Sequence, residues 1–320
     1  MTTLAFSCPL ISDKIFNRKP EAPFRLQRVG DCTLAAQEWT VDAVNTVTRD
    51  WICPISSSCY IFRAQVKRPN DHPLDVVLKM DISGWRREAL THEAEIYQGA
   101  ARDLCGDVIP AFYGCFQAEM KSMIVTCLVL EDCGEPMKKP VDKMNGDFQI
   151  ELLQTVNRLH KKGLAHGDLY PRNILVAEGH PVLIDLEMST PHQCGLRMKL
   201  IPGAMAPSQQ EFGCDELHDL ICRMGLWRSN VLSFCEAYVA KNCIESVEEL
   251  KSYIPTEDPK YRPAFEKKAE FLWEMILEER RLTYGTDKDP WDQKRVDYVV
   301  RGKGPETSDV STSVLAEPLA

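Results

Sequence analysis

Two short stretches decide how this chain is read. They are His166-Gly167-Asp168-Leu169-Tyr170-Pro171-Arg172-Asn173-Ile174-Leu175 and, beyond a turn, Leu183-Ile184-Asp185-Leu186-Glu187. The first sets an aspartate in a loop and an asparagine five residues on, where an apolar run begins. The second closes an apolar run on another aspartate. Ile174 to Ala177 and Val182 to Leu186 read as short strands joined by Glu178-Gly179-His180-Pro181, so a hairpin returns Asp185 to the edge that carries Asp168. One carboxylate placed this way can accept a proton from an attacking hydroxyl. An amide oxygen and a second carboxylate suit Mg2+, a hard cation that takes oxygen ligands. In isolation Asp168 and Asn173 are also turn formers; the strand frame ending in Asp185 favours the chemical reading.

Upstream, the texture becomes strand-like from Trp39. Tyr60 to Val66 is rich in β-formers, Lys67 to Pro73 is a polar turn, and Asp75-Val76-Val77-Leu78-Lys79-Met80 suits a central strand. Trp85 to Ala101 fits a helix, with Ala89, His92 or Glu93, Ile96 and Ala100 on one side. Ala111 to Gln117 and Ser122 to Leu130 read as a second hairpin. Residues 1–30, with prolines at 9, 20 and 23, read as an extension outside the core. The polar break Glu131-Asp132-Cys133-Gly134-Glu135-Pro136 marks a domain boundary. The expected organisation is therefore 1–30 extension, 31–133 small domain, 134–301 larger domain and 302–320 a small, polar tail without fixed structure.

Downstream of the break the texture is helical. Asp147 to Lys162 carries Ile150, Leu153, Val156 and Leu159 on one stripe and stops at Gly163. Asp215 to Trp227, Val231 to Lys241 and Pro263 to Arg281 also read as helices.

Composition narrows the class. The chain has 320 residues, 44% hydrophobic and 27% charged, which suits a folded globular protein. Its formal net charge of −9 argues against a nucleic-acid partner, because phosphate backbones require a basic face. No apolar run reaches the ~18 residues of a membrane span. The 13 cysteines form no C-x-x-C pair and the 7 histidines are not expected to cluster with them, which argues against structural zinc. Buried thiols in a reducing, cytoplasmic setting are the plain expectation.

The His166-to-Asn173 loop with Asp185 resembles the catalytic loop and metal-binding aspartate of the protein-kinase-like superfamily. The His-Gly-Asp form is closer to aminoglycoside and choline phosphotransferases and to fungal kinase-like proteins than to typical protein kinases. The resemblance implies an α+β, bilobal fold, with a small antiparallel-sheet lobe that binds nucleotide and a larger helical lobe. It implies ATP and Mg2+ as cofactors and transfer of the γ-phosphoryl group to an acceptor hydroxyl. That acceptor is a protein Ser/Thr or a small molecule. A pseudokinase scaffold that binds partners without turnover is the alternative.

Site residues follow by the same resemblance. Lys79, closing Val76-Val77-Leu78-Lys79, would contact the α/β-phosphates. Glu93 would pair with it; Glu95 is a rival, and Glu93 is preferred because it shares a face with Ala89 and Ile96. Backbone groups of Glu131 and Cys133 would bind adenine. Asp168 would be the catalytic base, and Asn173 and Asp185 the metal ligands. Asp215, or else Asp219, would be a buried helical aspartate.

Three departures stand out. Pro54-Ile55-Ser56-Ser57-Ser58-Cys59 replaces a glycine-rich loop, so Ser57 and Ser58 would offer N–H and hydroxyl donors to phosphate. Gly167 stands where protein kinases carry an arginine, and Asp185-Leu186-Glu187 stands for Asp-Phe-Gly. Tyr170 reads as a packed aromatic, Arg172 as a phosphate contact or a surface ion-pair former, and His166 as a hydrogen-bonding residue.

Overall fold

A computed structural model describes residues 2–6, 24–30, 37–46, 59–81, 84–120, 123–255 and 260–285. They divide into two compact units, Met1–Pro140 with Ile150–Gln193, and Val141–Gln149 with Cys194–Ala320. The chain is of mixed α and β structure, as expected.

The first unit is built on seven strands: β1 (Thr3–Phe6), β2 (Phe24–Val29), β3 (Glu38–Thr46), β4 (Cys59–Lys67), β5 (Leu74–Asp81), β6 (Phe112–Met120) and β7 (Met123–Glu131). They close into a barrel in the order β1-β2-β6-β7-β5-β4-β3. Alternation builds its interior. Phe62, Ala64 and Val66 of β4, Val76, Leu78 and Met80 of β5, and Val125, Cys127 and Val129 of β7 all point inward. The two expected hairpins are present, β4 with β5 and β6 with β7.

The expected all-antiparallel sheet needs correction. β1 pairs parallel with β3 while its other edge pairs antiparallel with β2. An odd number of strands cannot alternate direction all the way round a closed barrel, so one parallel pair must occur. Residues 1–30 are likewise not simply an extension. They supply β1 and β2, and Leu4 and Leu26 are wholly buried in the barrel core. Closure removes the exposed sheet edges that β3 and β6 would otherwise present.

Helix α1 (Arg87–Gln98) follows β5 and buries Leu90, Glu93, Ala94, Ile96 and Tyr97. It starts two residues later than the apolar pattern suggests. The buried Asp81 carboxylate accepts the Gly84 and Arg86 N–H groups at 3.1 and 2.9 Å, so the chain turns before it coils. The unit also contains β8 (Glu135–Pro136), β9 (Leu164–Ala165), β10 (Ile174–Ala177), β11 (His180–Leu183) and β12 (Thr190–Pro191). β10 pairs with β11 and β8, and β12 with β9. Helix α2 (Gly146–Lys161) crosses from one unit's residues into the other's and is followed by Gly163 at φ +78°.

The second unit holds α3 (Gln209–Phe212), α4 (Asp215–Met224), β13 (Val231–Phe234), β14 (Ala237–Ala240), α5 (Val247–Ser252) and α6 (Arg262–Tyr284). The helix expected over Val231–Lys241 is a β-hairpin instead. Cys235 and Glu236 adopt φ +47° and +66°, the positive pair that a tight two-residue hairpin turn requires. Neither residue is a usual turn former, so the signal was absent from the sequence. Burial alternates along β13, with Leu232 and Phe234 inside. Asp215 and Asp219 are both exposed on α4, contrary to the implied buried aspartate; Leu217, Leu220 and Ile221 are its buried positions. Among the described residues no helix is long and apolar enough to cross a membrane.

The role of β2 has a direct test. Leu26→Ala should lower stability by ~2–5 kcal/mol in urea unfolding, the cost of a core cavity. A change within the range of exposed-site substitutions would return residues 1–30 to the status of an appendage.

Candidate active site

The site is assembled from β5, α1 and the two loops around β10 and β11. β5 ends in an inward–outward alternation that leaves Lys79 between the buried Leu78 and Met80. Its ammonium lies 2.7 Å from Glu93 Oε2 and 3.8 Å from Glu187 Oε2, and it also pairs with Asp185 Oδ1. Glu93 is fully buried and its other oxygen accepts the Leu186 N–H at 3.2 Å. One glutamate thus ties the strand lysine to the loop that carries Asp185. Glu95, the rival, faces solvent.

Electrostatics follow from this crowding. Burial alone would push the Lys79 ammonium towards neutrality, but Glu93, Asp185 and Glu187 outweigh it and hold the pKa well above its ordinary value. Burial dominates at Glu93 and raises its carboxyl pKa despite Lys79. At Asp185 burial also pushes upward, yet Lys79, then His166 and Arg86, bring the net value below the ordinary 3.8. Asp185 itself sits at φ +67°, ψ +63°, left-handed backbone that a non-glycine residue adopts under constraint.

The Asp168 loop is held from several sides. His166 is buried; its Nε2–H donates to the Ile184 carbonyl at 3.0 Å and its Nδ1 accepts the Asp168 N–H at 3.3 Å. Gly167, at φ +81°, has no space for a side chain: a Cβ would stand 2.4 Å from the Met188 carbonyl oxygen. That accounts for glycine where an arginine would stand in a typical protein kinase. Asn173 is buried, and its Nδ2 donates to Asp168 Oδ2 at 2.7 Å and to the Asp168 carbonyl at 2.9 Å. With Nδ2 so engaged, the amide oxygen is the end directed elsewhere.

Several residues occupy roles the sequence did not indicate. Arg172 holds both carboxylate oxygens of Asp168, at 2.9 and 2.7 Å, so its ion pair is made at the candidate base itself. Its guanidinium lies 4.7 Å from the centre of the Tyr170 ring. Tyr170 is 52% exposed, not packed as expected. Glu187 pairs with Arg86, at the start of α1. The Asp-Leu-Glu spacing was the available signal for Glu187. Nothing local marked Arg86, which lies 101 positions away.

The remaining expected residues are placed as follows. Glu131 ends β7 and its N–H donates to the Ala111 carbonyl at 2.9 Å, while its carboxylate accepts the Ala111 N–H at 3.0 Å. The Cys133 thiol is pushed up to about 12, first by burial and then by Glu131. Cys59, at the start of β4, is likewise pushed up to about 12 by burial. Both shifts disfavour the nucleophilic thiolate at neutral pH. Ser57 and Ser58 lie outside the described residues. A hard divalent cation would find oxygen donors here in Asp185, Glu187 and the Asn173 amide, and carboxylate oxygens of Glu93, Asp185 and Glu187 lie within 4.8 Å of one another.

Residues 128–199 match the lipopolysaccharide kinase (Kdo/WaaP) family. The chain is 27% identical over 133 residues to the KEOPS complex subunit Bud32 of Pyrococcus abyssi (strain GE5 / Orsay), an alignment that takes in 37% of this chain. The chain spans 57% of that relative's length. Among solved structures, a Stt7 homolog from Micromonas algae soaked with ATP aligns at 21% identity. It covers 46% of this chain and 50% of that one with a TM-score of 0.33, too low to inform the fold. The family match spans both the His166–Leu175 and the Leu183–Glu187 stretches, and the chain resembles the protein-kinase-like superfamily.

The depressed Asp185 pKa makes a pH prediction. A carboxyl whose folded pKa is lowered stabilises the fold fully above its ordinary value of 3.8 and loses that contribution as pH falls through the folded value. The stability gap between wild type and Asp185→Asn, from urea unfolding over roughly pH 3 to 7, should therefore shrink on acidification. A gap that stays constant would contradict the assigned charge state.

Proposed function

We propose that the chain is an ATP- and Mg2+-dependent phosphotransferase that moves the γ-phosphoryl group of ATP to an acceptor hydroxyl. The observation that carries this reading is the grouping of Lys79, Glu93 and Asp185 around one ammonium, with a loop in which Asp168, Asn173 and Arg172 are hydrogen-bonded together. The match to a kinase family over residues 128–199 supports the same chemistry. On this reading the first unit contains the small nucleotide-binding lobe, and the second contributes to the larger lobe of a bilobal fold.

Each side chain then has a task. Lys79 is held cationic by its three carboxylates and so can neutralise phosphate oxygens. Glu93 positions Lys79 and, through the Leu186 N–H, the Asp185 loop. The Glu131 and Cys133 main chain would receive adenine, and the Ser57–Ser58 turn the phosphates. Asp185 and the Asn173 amide would hold Mg2+, with Glu187 as a further oxygen donor. When bound, the cation offsets charge on the β- and γ-phosphates. Asp168 orients the acceptor hydroxyl and takes its proton. Little covalent work is asked of the protein, so catalysis rests on position and charge.

The acceptor is a protein Ser/Thr or a small molecule. The retained lysine, glutamate, two aspartates and asparagine weigh against the pseudokinase alternative. Asp168→Ala should reduce kcat by about 100- to 10,000-fold while Mg-ATP binding, read by thermal shift, is retained. Unchanged turnover would end the base assignment. Absence of any Mg-ATP stabilisation in the wild type would favour the scaffold reading.

A further inference from the structure

Cys194 and Cys214 meet in the second unit through a main-chain contact that only glycine permits. Residues 194–197 run beside 212–214, and the Arg197 N–H donates to the Phe212 carbonyl at 2.9 Å. A Cβ on Gly213, which lies at φ +86°, would stand 2.0 Å from the Gly195 carbonyl oxygen. A Cβ on Gly195 would stand 3.0 Å from the Gly213 carbonyl oxygen. Cys194 precedes one glycine and Cys214 follows the other. The glycine contact therefore delivers the two thiols to one place.

There the sulfur atoms lie within 4.8 Å of each other. Cys214 is 2% exposed and Cys194 half-buried.

We propose that Cys194 and Cys214 are two thiolate ligands of a tightly held thiophilic divalent cation, zinc by the softness of its donors. Zinc–sulfur bonds of ~2.3 Å at a tetrahedral angle set two sulfurs about 3.8 Å apart, which fits within the observed limit. A disulfide would instead need the sulfurs to close to about 2 Å. In sequence, His192 stands two residues before Cys194. On binding, each thiol releases its proton to water and two sulfur–metal bonds form, with no change of oxidation state. The cation would staple residue 194 to residue 214 and so close the intervening loop. This inference stands apart from the phosphotransferase reading, and its test does not use activity.

The full chain, purified under reducing conditions and passed through a weak chelator, should retain about one zinc per molecule by elemental mass spectrometry. Cobalt exchange should add an intense near-ultraviolet thiolate-to-cobalt band. Cys194→Ser and Cys214→Ser should each cut retained zinc about tenfold or more and weaken that band. Cys222→Ser, at an exposed position in the same unit, should change neither. Wild-type protein that holds no zinc and shows no cobalt band would overturn the proposal. So would an unaltered band in both variants, or a peptide map showing a Cys194–Cys214 disulfide. If the variants fail to fold, zinc release from wild type on stepwise mercurial titration of its thiols decides. Release of zinc with the buried thiols supports the site, and release before any thiol reacts overturns it.

Discussion

The Lys79 ammonium is the interaction on which the candidate site depends. Three carboxylates, Glu93, Asp185 and Glu187, approach it, and they would repel one another without it. A cation buried in such company cannot lose its proton, and the carboxylates around it are drawn into one place. Removing either side leaves buried, uncompensated charge, which costs far more than the pair gains. The arrangement therefore ties β5, α1 and the Asp185 loop together through charge. It also leaves acidic oxygens gathered where a divalent cation could share them.

The Asp168 loop is organised by a different constraint, the lack of space. Gly167 lies so close to the Met188 carbonyl that a side chain is excluded. His166 uses both ring nitrogens on main-chain partners, and Asn173 bonds back to Asp168 twice. The loop is shaped by backbone proximity and buried polar partners. Arg172 then occupies both oxygens of the Asp168 carboxylate.

Much of this was legible in the sequence because it is local. The amphipathic helix α2, the β10–β11 hairpin and the paired hairpins of the small sheet all follow from periodicity and turn residues within a few positions. Glu93 could be preferred over Glu95 on helical phase alone, and it is the one that is buried. The β13–β14 hairpin was not legible, because its turn uses Cys235 and Glu236 in place of glycine or asparagine. The strands β1 and β2 were hidden by their shortness and by the prolines between them. Tyr170 could not be judged packed or exposed from a single residue's chemistry.

Sequence by itself determined which residue types stand at each step of the His166-to-Asn173 stretch and at Asp185. Spacing along the chain carries that information, since an aspartate, an asparagine and a second aspartate on one hairpin are separated by few bonds. Only the tertiary structure decided that the barrel closes, that Arg172 holds Asp168, and that Arg86 reaches Glu187. The same is true of Cys194 and Cys214, which meet because two glycines let their main chains touch. Those contacts join positions remote along the chain. Their geometry comes from packing and backbone approach, which leave no periodic trace in the order of residues.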